Sequence, residues 1–349
     1  MNKCCHLRLL FGCLLFSLMG CNRQPPRAIT PAFYYWRTTF ACSPAERACL
    51  DSLDCKKIYL KTLDIGRDPV TGLISSFSQL NISDSSALRG FCVVPTVFIT
   101  NEVFKDISKE EMAQVVALVA RSPLQQKGGE VQFDCDWTPS TREAYFLFLR
   151  NIKASLLPGA HISATIRLHQ YKFPKQTGVP PVDRGMLMLY NTGDIDDPET
   201  RNSIFDPEDA QKYLLGAPKQ YPLPLDIALP LFSWALVYRE GAFWKILPEL
   251  PETELNDTLC FEKISSAPLW RLKKGTYRSG HYLRPGDQIR LESISPALLR
   301  QAAAIAAKTS LADDATLAFF HLDTFFLRRC SAQLLDSVCQ TVQSGRQQR

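Results

Sequence analysis

Eight short runs of apolar or alternating residues, separated by stretches that begin like helices, limit this chain to few architectures. The runs are Phe33 to Phe40, Ile58 to Ile65, Phe91 to Ile99, Val131 to Trp137, Ile162 to Leu168, Met186 to Asn191, Leu225 to Phe232 and Leu317 to Asp323. Their length and their β-branched and aromatic content suit strands. Ser43-Pro44-Ala45-Glu46, Ser108-Lys109-Glu110-Glu111 and Ser140-Thr141-Arg142-Glu143 read as capping boxes, in which the serine hydroxyl accepts from a backbone amide and the glutamate reaches back. Asp206-Pro207 and Ser295-Pro296 place a capping side chain before a proline at the first helical position. Helical periodicity is clear in Met112 to Val119, Tyr145 to Leu156 and Leu298 to Lys308.

Strand and helix in alternation specify a parallel sheet, because each right-handed crossover returns the chain beside a parallel neighbour. Eight such units close into a (β/α)8 TIM barrel, an α/β fold. An open doubly wound sheet is the competing arrangement, but no glycine-rich turn follows Phe40. The stretch from Tyr238 to Ile294 breaks the repeat. Its Pro-Gly turn and the alternating piece Gln288 to Ile294 predict a β-rich insertion after strand seven, about residues 238–294. The barrel domain is then residues 32–340, and the polar stretch 341–349 is expected to be a disordered tail.

The N-terminus carries Lys3 and Arg8, the apolar run Leu9 to Leu18, and Met19-Gly20-Cys21. This reads as a signal peptide over residues 1–20, with a run too short to span a bilayer comfortably. Leu18-Met19-Gly20-Cys21 resembles the lipobox of bacterial lipoproteins. The resemblance implies that Cys21 is the first mature residue and carries the acyl chains, which hold a membrane stably when there is more than one. Asn22 in place of aspartate implies the outer membrane, by the sorting rules of Gram-negative envelopes. Residues 21–31 then form a Pro-rich lipidated tether.

Loss of Lys3 and Arg8 with the leader lowers the formal charge from +5 to +3, too mild an excess to argue for nucleic acid. Of twelve cysteines, Cys42, Cys49, Cys55, Cys92, Cys135, Cys260, Cys330 and Cys339 lie beyond the leader and the lipid site. An exported chain permits disulfides, and the cluster Cys42, Cys49, Cys55 is the expected place for one. No paired CxxC or histidine cluster suggests a metal, and no motif suggests a cofactor.

In an α/β barrel the working residues sit at the C-terminal ends of the strands. Those ends carry Trp36 and Arg37, Asp64, Asp134 and Asp136, Arg167 and His169, Tyr190 and Asn191, Trp234, and His321 and Asp323. Aromatic faces that stack on sugar rings, beside charged groups that fix hydroxyls, suit a glycan partner. The sharpest pattern is Val131-Gln132-Phe133-Asp134-Cys135-Asp136-Trp137-Thr138. Period-two alternation puts Asp134 and Asp136 on one inward side of strand four, where two carboxylates are costly to bury without a purpose.

Here the sequence resembles the family 18 glycoside hydrolases, the chitinase-type barrels, whose fourth strand reads D-x-x-D-x-D-x-E. Asp134 and Asp136 fall on the last two aspartates and Trp137 on a tryptophan frequent there. Val131 stands at the first aspartate position and Thr138 at the glutamate. That glutamate is the family's general acid, which protonates the leaving oxygen while the substrate's acetamido group attacks; threonine cannot supply the proton near neutral pH. Met188-Leu189-Tyr190-Asn191 is similar to the sixth-strand M-x-Y-D, with Asn191 for the aspartate. Leu229-Pro230-Leu231-Phe232 is similar to the seventh-strand P-x-Y.

Three readings follow. In the first the chain is a hydrolase, with Asp136, supported by Asp134, as nucleophile, base or acetamido-orienting group and Asp64 or Asp323 as the acid. In the second it is a silent barrel that binds glycan through Trp36, Arg37, Trp137, Arg167, His169, Tyr190, Asn191 and Trp234. In the third it is a structural or assembly lipoprotein, marked by an apolar patch on its outer helices. Glu143 is explained by its capping box, and Asp226, at the start of strand seven, belongs to the stability face. Carboxyl groups about 5 to 10 Å apart across a cleft would suit a glycosidase, whereas carboxylates locked onto arginines would not.

Overall fold

Each of the eight runs contributes a strand, and the eight strands close on themselves. They are β1 (Thr30–Tyr35), β2 (Lys57–Arg67), β3 (Cys92–Ile99), β4 (Glu130–Asp134), β5 (His161–Arg167), β6 (Arg184–Met188), β7 (Leu225–Pro230) and β8 (Thr316–Phe320). All eight neighbouring pairs are parallel, and the ring closes through Phe33 opposite Phe319 on one side and Phe33 opposite Ile58 on the other. This computed structural model describes residues 28–345 apart from 83–84, 122–128, 157, 249 and 265–267. The leader, Cys21 and the tether as far as residue 27 lie outside the described residues.

The helices wrap the ring where the caps place them. They are α1 (Pro44–Ser52), α2 (Lys109–Ala120), α3 (Arg142–Ser155), α4 (Leu168–Lys172), α5 (Pro207–Leu214), α6 (Pro296–Ala307) and α7 (Ala332–Ser344). Ser43 with Glu46 and Ser108 with Glu111 form complete capping boxes, and Asp206 and Ser295 accept from the first-turn amides of α5 and α6. The third box does not form. Thr141 rather than Ser140 precedes α3 and makes no side-chain cap, while Glu143 pairs with Arg142. Helix α3 docks instead by burying Tyr145, Phe146, Phe148, Leu149 and Ile152, a stripe in which each large side chain is worth about 1.5–3 kcal/mol of transfer free energy.

Inside the ring the packing is unusually polar. The Tyr34 hydroxyl donates to Gln132 at 2.5 Å, Gln132 to Ser163 at 3.3 Å, Ser163 to Glu130 at 2.6 Å, and Lys57 reaches Glu130 at 2.8 Å. Buried polar groups in such a ladder are tolerated because each finds a partner. At the foot of β7, Asp226 accepts from Arg184 and from the Thr316 amide, tying three strands together.

The insertion is a five-stranded antiparallel sheet with its own small core of Ala235, Val237, Leu247, Phe261, Trp270, Leu272, Ile289 and Leu291. It lies outside the ring and starts at Ser233, five residues before the expected Tyr238. Trp234 therefore belongs to the first inserted strand, not to the end of strand seven. The C-terminal expectation also needs correcting, since α7 runs to Ser344 with Val342 fully buried, and only residues 346–349 fall outside the described part. No disulfide forms in the Cys42, Cys49, Cys55 cluster. All eight cysteines among the described residues are free, and Cys55 donates to the Pro31 and Lys57 carbonyls. Burial pushes the Cys49 thiol up to about 11 and Cys55 to about 12, which makes them poor nucleophiles.

Candidate functional site at the mouth of the barrel

The C-terminal ends of β4, β5 and β6 and the first inserted strand enclose a cavity of about 610 Å³. Asp136, Arg167, His169, Tyr190, Asn191 and Trp234 all line it. Strand β4 ends at Asp134, so the expected alternation stops short of Asp136. Asp134 stays inside the barrel, 5% exposed, and accepts from the Thr165 hydroxyl at 2.6 Å. Asp136 stands above it at the open mouth, in a two-pronged ion pair with Arg167: Nε meets Oδ1, and Nη2 meets Oδ2 at 2.6 Å. Fork-to-fork geometry of this kind fixes both side chains.

The electrostatics follow from that stacking. Burial, reinforced by the charge of Asp136, raises the Asp134 carboxyl to about 6, although Arg167 and Thr165 pull the other way. Burial works against the charge on Arg167, yet Asp136 and Asp134 outweigh it and the guanidinium pKa is raised. His169 is lowered by burial and by the nearby Arg167. Tyr190 is fully desolvated, its pKa is well above the ordinary phenol value, and its hydroxyl has no hydrogen-bond partner. A buried donor left open beside a cavity is suited to a ligand oxygen. Asn191 takes a left-handed backbone, φ 54°, and its backbone N–H donates to the Ile204 carbonyl at 2.7 Å.

The other expected residues are placed elsewhere. Trp137 is a core residue: it is fully buried, stacks on Tyr145 with centroids 5.3 Å apart, and spends its indole N–H on the Thr177 carbonyl, so it backs the cavity without offering a face. Trp36 is part of an aromatic floor that runs through Phe320, Tyr190 and Phe232 to Trp234, with successive centroids 5.2 to 5.9 Å apart. Arg37 holds Glu46 at 2.9 Å and Asp323 at 3.5 Å, and Asp323 also caps a short helical turn through the Phe325 amide. Asp64 pairs with Lys61 at 2.8 Å, and that lysine lies over the Trp36 ring. His321 is buried and lowered by that burial to about 4, hence neutral.

Thr138, at the position of the family's glutamate, is engaged in starting α3. Its hydroxyl is 2.9 Å from that of Ser140 and 3.2 Å from that of Thr141, and its amide donates to Thr141 Oγ1. Each candidate catalytic carboxylate thus already has a partner, Asp136 in Arg167, Asp64 in Lys61, Asp323 in Arg37 and Asp134 in Thr165, although Oδ1 of Asp64 is buried without one.

Two features at the mouth were not among the candidate site residues, although Phe232 stands in the P-x-Y-like stretch. Glu292, on the last inserted strand, is buried and accepts from the Trp234 indole at 2.8 Å, from Ser203 at 2.5 Å and from Arg290 at 2.8 Å. The Phe232 and Phe320 rings complete the aromatic floor. Only aromatic periodicity near strand ends could have pointed to the rings; Glu292 sits 58 residues from the tryptophan that it holds and has no local signal. Among the described residues no group of three or more His, Cys, Asp or Glu side chains is arranged to hold a metal ion.

The sequence matches no known family profile and no curated protein. The fold does resemble solved structures. Over 90% of this chain and 74% of the other, it superposes on the spore cortex-lytic enzyme SleL of Bacillus megaterium QM B1551 with a TM-score of 0.53 and 12% identity. Over 90% of this chain and 94% of the other, it superposes on the GH18 chitinase ChiB from the chitin utilization locus of Flavobacterium johnsoniae with a TM-score of 0.50 and 9% identity. At such identities the likeness speaks for the fold: this chain is a closed (β/α)8 barrel of the kind found in the family 18 glycoside hydrolases.

Proposed function

We propose that the mouth of this barrel binds glycan and that the usual acid–base route of family 18 is closed in it. The observation that carries the reading is the clasp of Asp136 by Arg167, beside a threonine whose hydroxyl is tied into a helix start. A carboxylate held by a guanidinium makes a rigid set of hydrogen-bonding groups for sugar hydroxyls but a poor base, and threonine supplies no proton. The half-exposed faces of Trp36 and Trp234 offer stacking surfaces, and the unpartnered Tyr190 hydroxyl offers a buried donor. The neighbours of this fold, a cortex-lytic enzyme and a chitinase, support amino-sugar polymers as the class to try first.

One observation favours turnover instead. With its carboxyl raised to about 6, Asp134 holds a proton closer to neutrality than an ordinary aspartate. Its Oδ1 nevertheless faces Thr165 inside the ring.

We propose further that residues 1–20 are a leader and that Cys21 is acylated, which would put this site in the cell envelope, at the outer membrane of a Gram-negative cell. Support for that is the lipobox pattern itself; no helix among the described residues is long and apolar enough to cross a membrane.

Titration of the full chain with soluble peptidoglycan fragments and chitin oligomers, followed by tryptophan fluorescence and by reducing-end release, tests the proposal. Saturable binding without release is the expected result, with Arg167→Ala weakening it roughly tenfold or more. Release of reducing ends that disappears in Asp136→Asn overturns it.

A further inference from the structure

On the outer wall of the barrel, a second cavity of about 670 Å³ opens between α5 and α6. Its bed is apolar, with Leu214, Leu215, Ala217 and Ile305, and Leu215 is 70% exposed. Lys219 and Lys308 stand on its walls. It runs along α5 from Pro207 and Gln211, and its lower end is framed by the segments that lead out of α5 toward β7 and out of α6 toward β8, at the N-terminal face of the ring. The described chain begins on that same face. The Ala28 amide donates to the Asp313 carbonyl at 2.8 Å, and Asp313 bounds a neighbouring hollow that shares Ser310 with the cavity. The adjacent Asp314 is neutralised by Arg184 at 2.7 Å.

We infer that this face rests on an anionic lipid surface, the bilayer that holds Cys21. The inference rests on the anchoring proposed above and is independent of the glycan reading. Six residues separate Cys21 from Ala28, so even a fully extended tether keeps Ala28 within about 25 Å of the anchor. At that range a weak contact becomes effectively intramolecular and needs little affinity of its own. Leu215 and the apolar bed take up hydrocarbon, and the two lysines meet lipid phosphates. Docked this way, the barrel leans on its α5–α6 wall and N-terminal rim, and its mouth stays clear of the bilayer, free to meet glycan.

Hydrogen exchange on the acylated full chain in phosphatidylglycerol-containing vesicles tests this, with intact mass reporting the state of Cys21. Amides of residues 211–219 and 301–310 should exchange roughly tenfold more slowly on vesicles than in detergent, while those of 191–195 at the mouth stay unchanged. Leu215→Asp combined with Lys219→Glu should abolish the slowing and leave the chain anchored. Acylated protein that shows no slowing at the groove, or shows it at the mouth, overturns the docking. Equal slowing in detergent and on vesicles also overturns it, because the groove would then hold the chain's own acyl group. An unacylated chain overturns the anchor, and the docking with it.

Discussion

Trp234 owes its place at the mouth to Glu292, a buried carboxylate that also receives Arg290 and Ser203. Glu292→Gln leaves Arg290 buried without its counter-charge and should cost about 3 kcal/mol in urea unfolding. Trp234→Phe keeps an aromatic face and surrenders only the indole N–H, so its stability should stay within about 1.5 kcal/mol of the parent chain while its glycan affinity falls. If Trp234→Phe binds glycan as the parent does, the indole N–H and its anchoring by Glu292 contribute nothing to the site. At this scale the sequence was informative wherever chemistry was local. Asp134 and Asp136 were visible from alternation, and Thr138 from its position beside them. It was uninformative where partners meet across the insertion, as with Glu292, and where the strand ended early, which separated the surroundings of Asp134 from those of Asp136.

Two capping boxes of the same sequence type do different work once folded. In α2, Glu111 lies on the surface, where it caps Ser108 and meets Arg67. In α1, Glu46 is fully buried and accepts from the Ser43 amide, from Arg37 after β1 and from the Thr324 amide after β8, so one carboxylate ties a helix start to both strands of the ring closure. Glu111→Ala should therefore cost about 1 kcal/mol, the worth of a cap. Glu46→Ala should cost about 3 kcal/mol or more, because Arg37 and a buried amide lose their partner together. Thermal or urea unfolding of the two variants side by side measures the difference, and equal losses would show that Glu46 is only a cap. Strand positions were readable because apolar runs of strand length recur with helix signals between them, and the ring demands that order. Boundaries were not: Phe33 to Phe40 became a strand ending at Tyr35, and Ser140 lost its cap to packing by the α3 stripe.

For the whole molecule, pH acts on buried groups of opposite sign. Burial, opposed by Arg184, raises Asp226 at the foot of the ring to about 6, and Asp134 under the mouth is raised equally by burial and Asp136. A carboxyl raised in the folded state favours folding fully below its unfolded value near 3.9, and that contribution is lost as pH rises through about 6. His321, lowered by burial to about 4, acts in reverse, contributing above its unfolded value near 6.5 and losing that contribution as pH falls through about 4. A shift of about two units corresponds to about 3 kcal/mol at most for each group. The two carboxylates together outweigh the one imidazole, so these groups favour the folded chain more at pH 5 than at pH 7.5. Asp134→Asn isolates one of them, since asparagine still accepts from Thr165 but carries no charge to desolvate. Relative to the parent, the variant should gain stability as pH rises from 4 to 7 and show a constant difference above that, with a total change on the order of 1–3 kcal/mol. Urea unfolding of both proteins at unit intervals of pH measures it. Parallel curves throughout would mean that Asp134 is ionised as easily in the folded barrel as in the unfolded chain, and that the desolvated floor under the Asp136–Arg167 clasp does not exist.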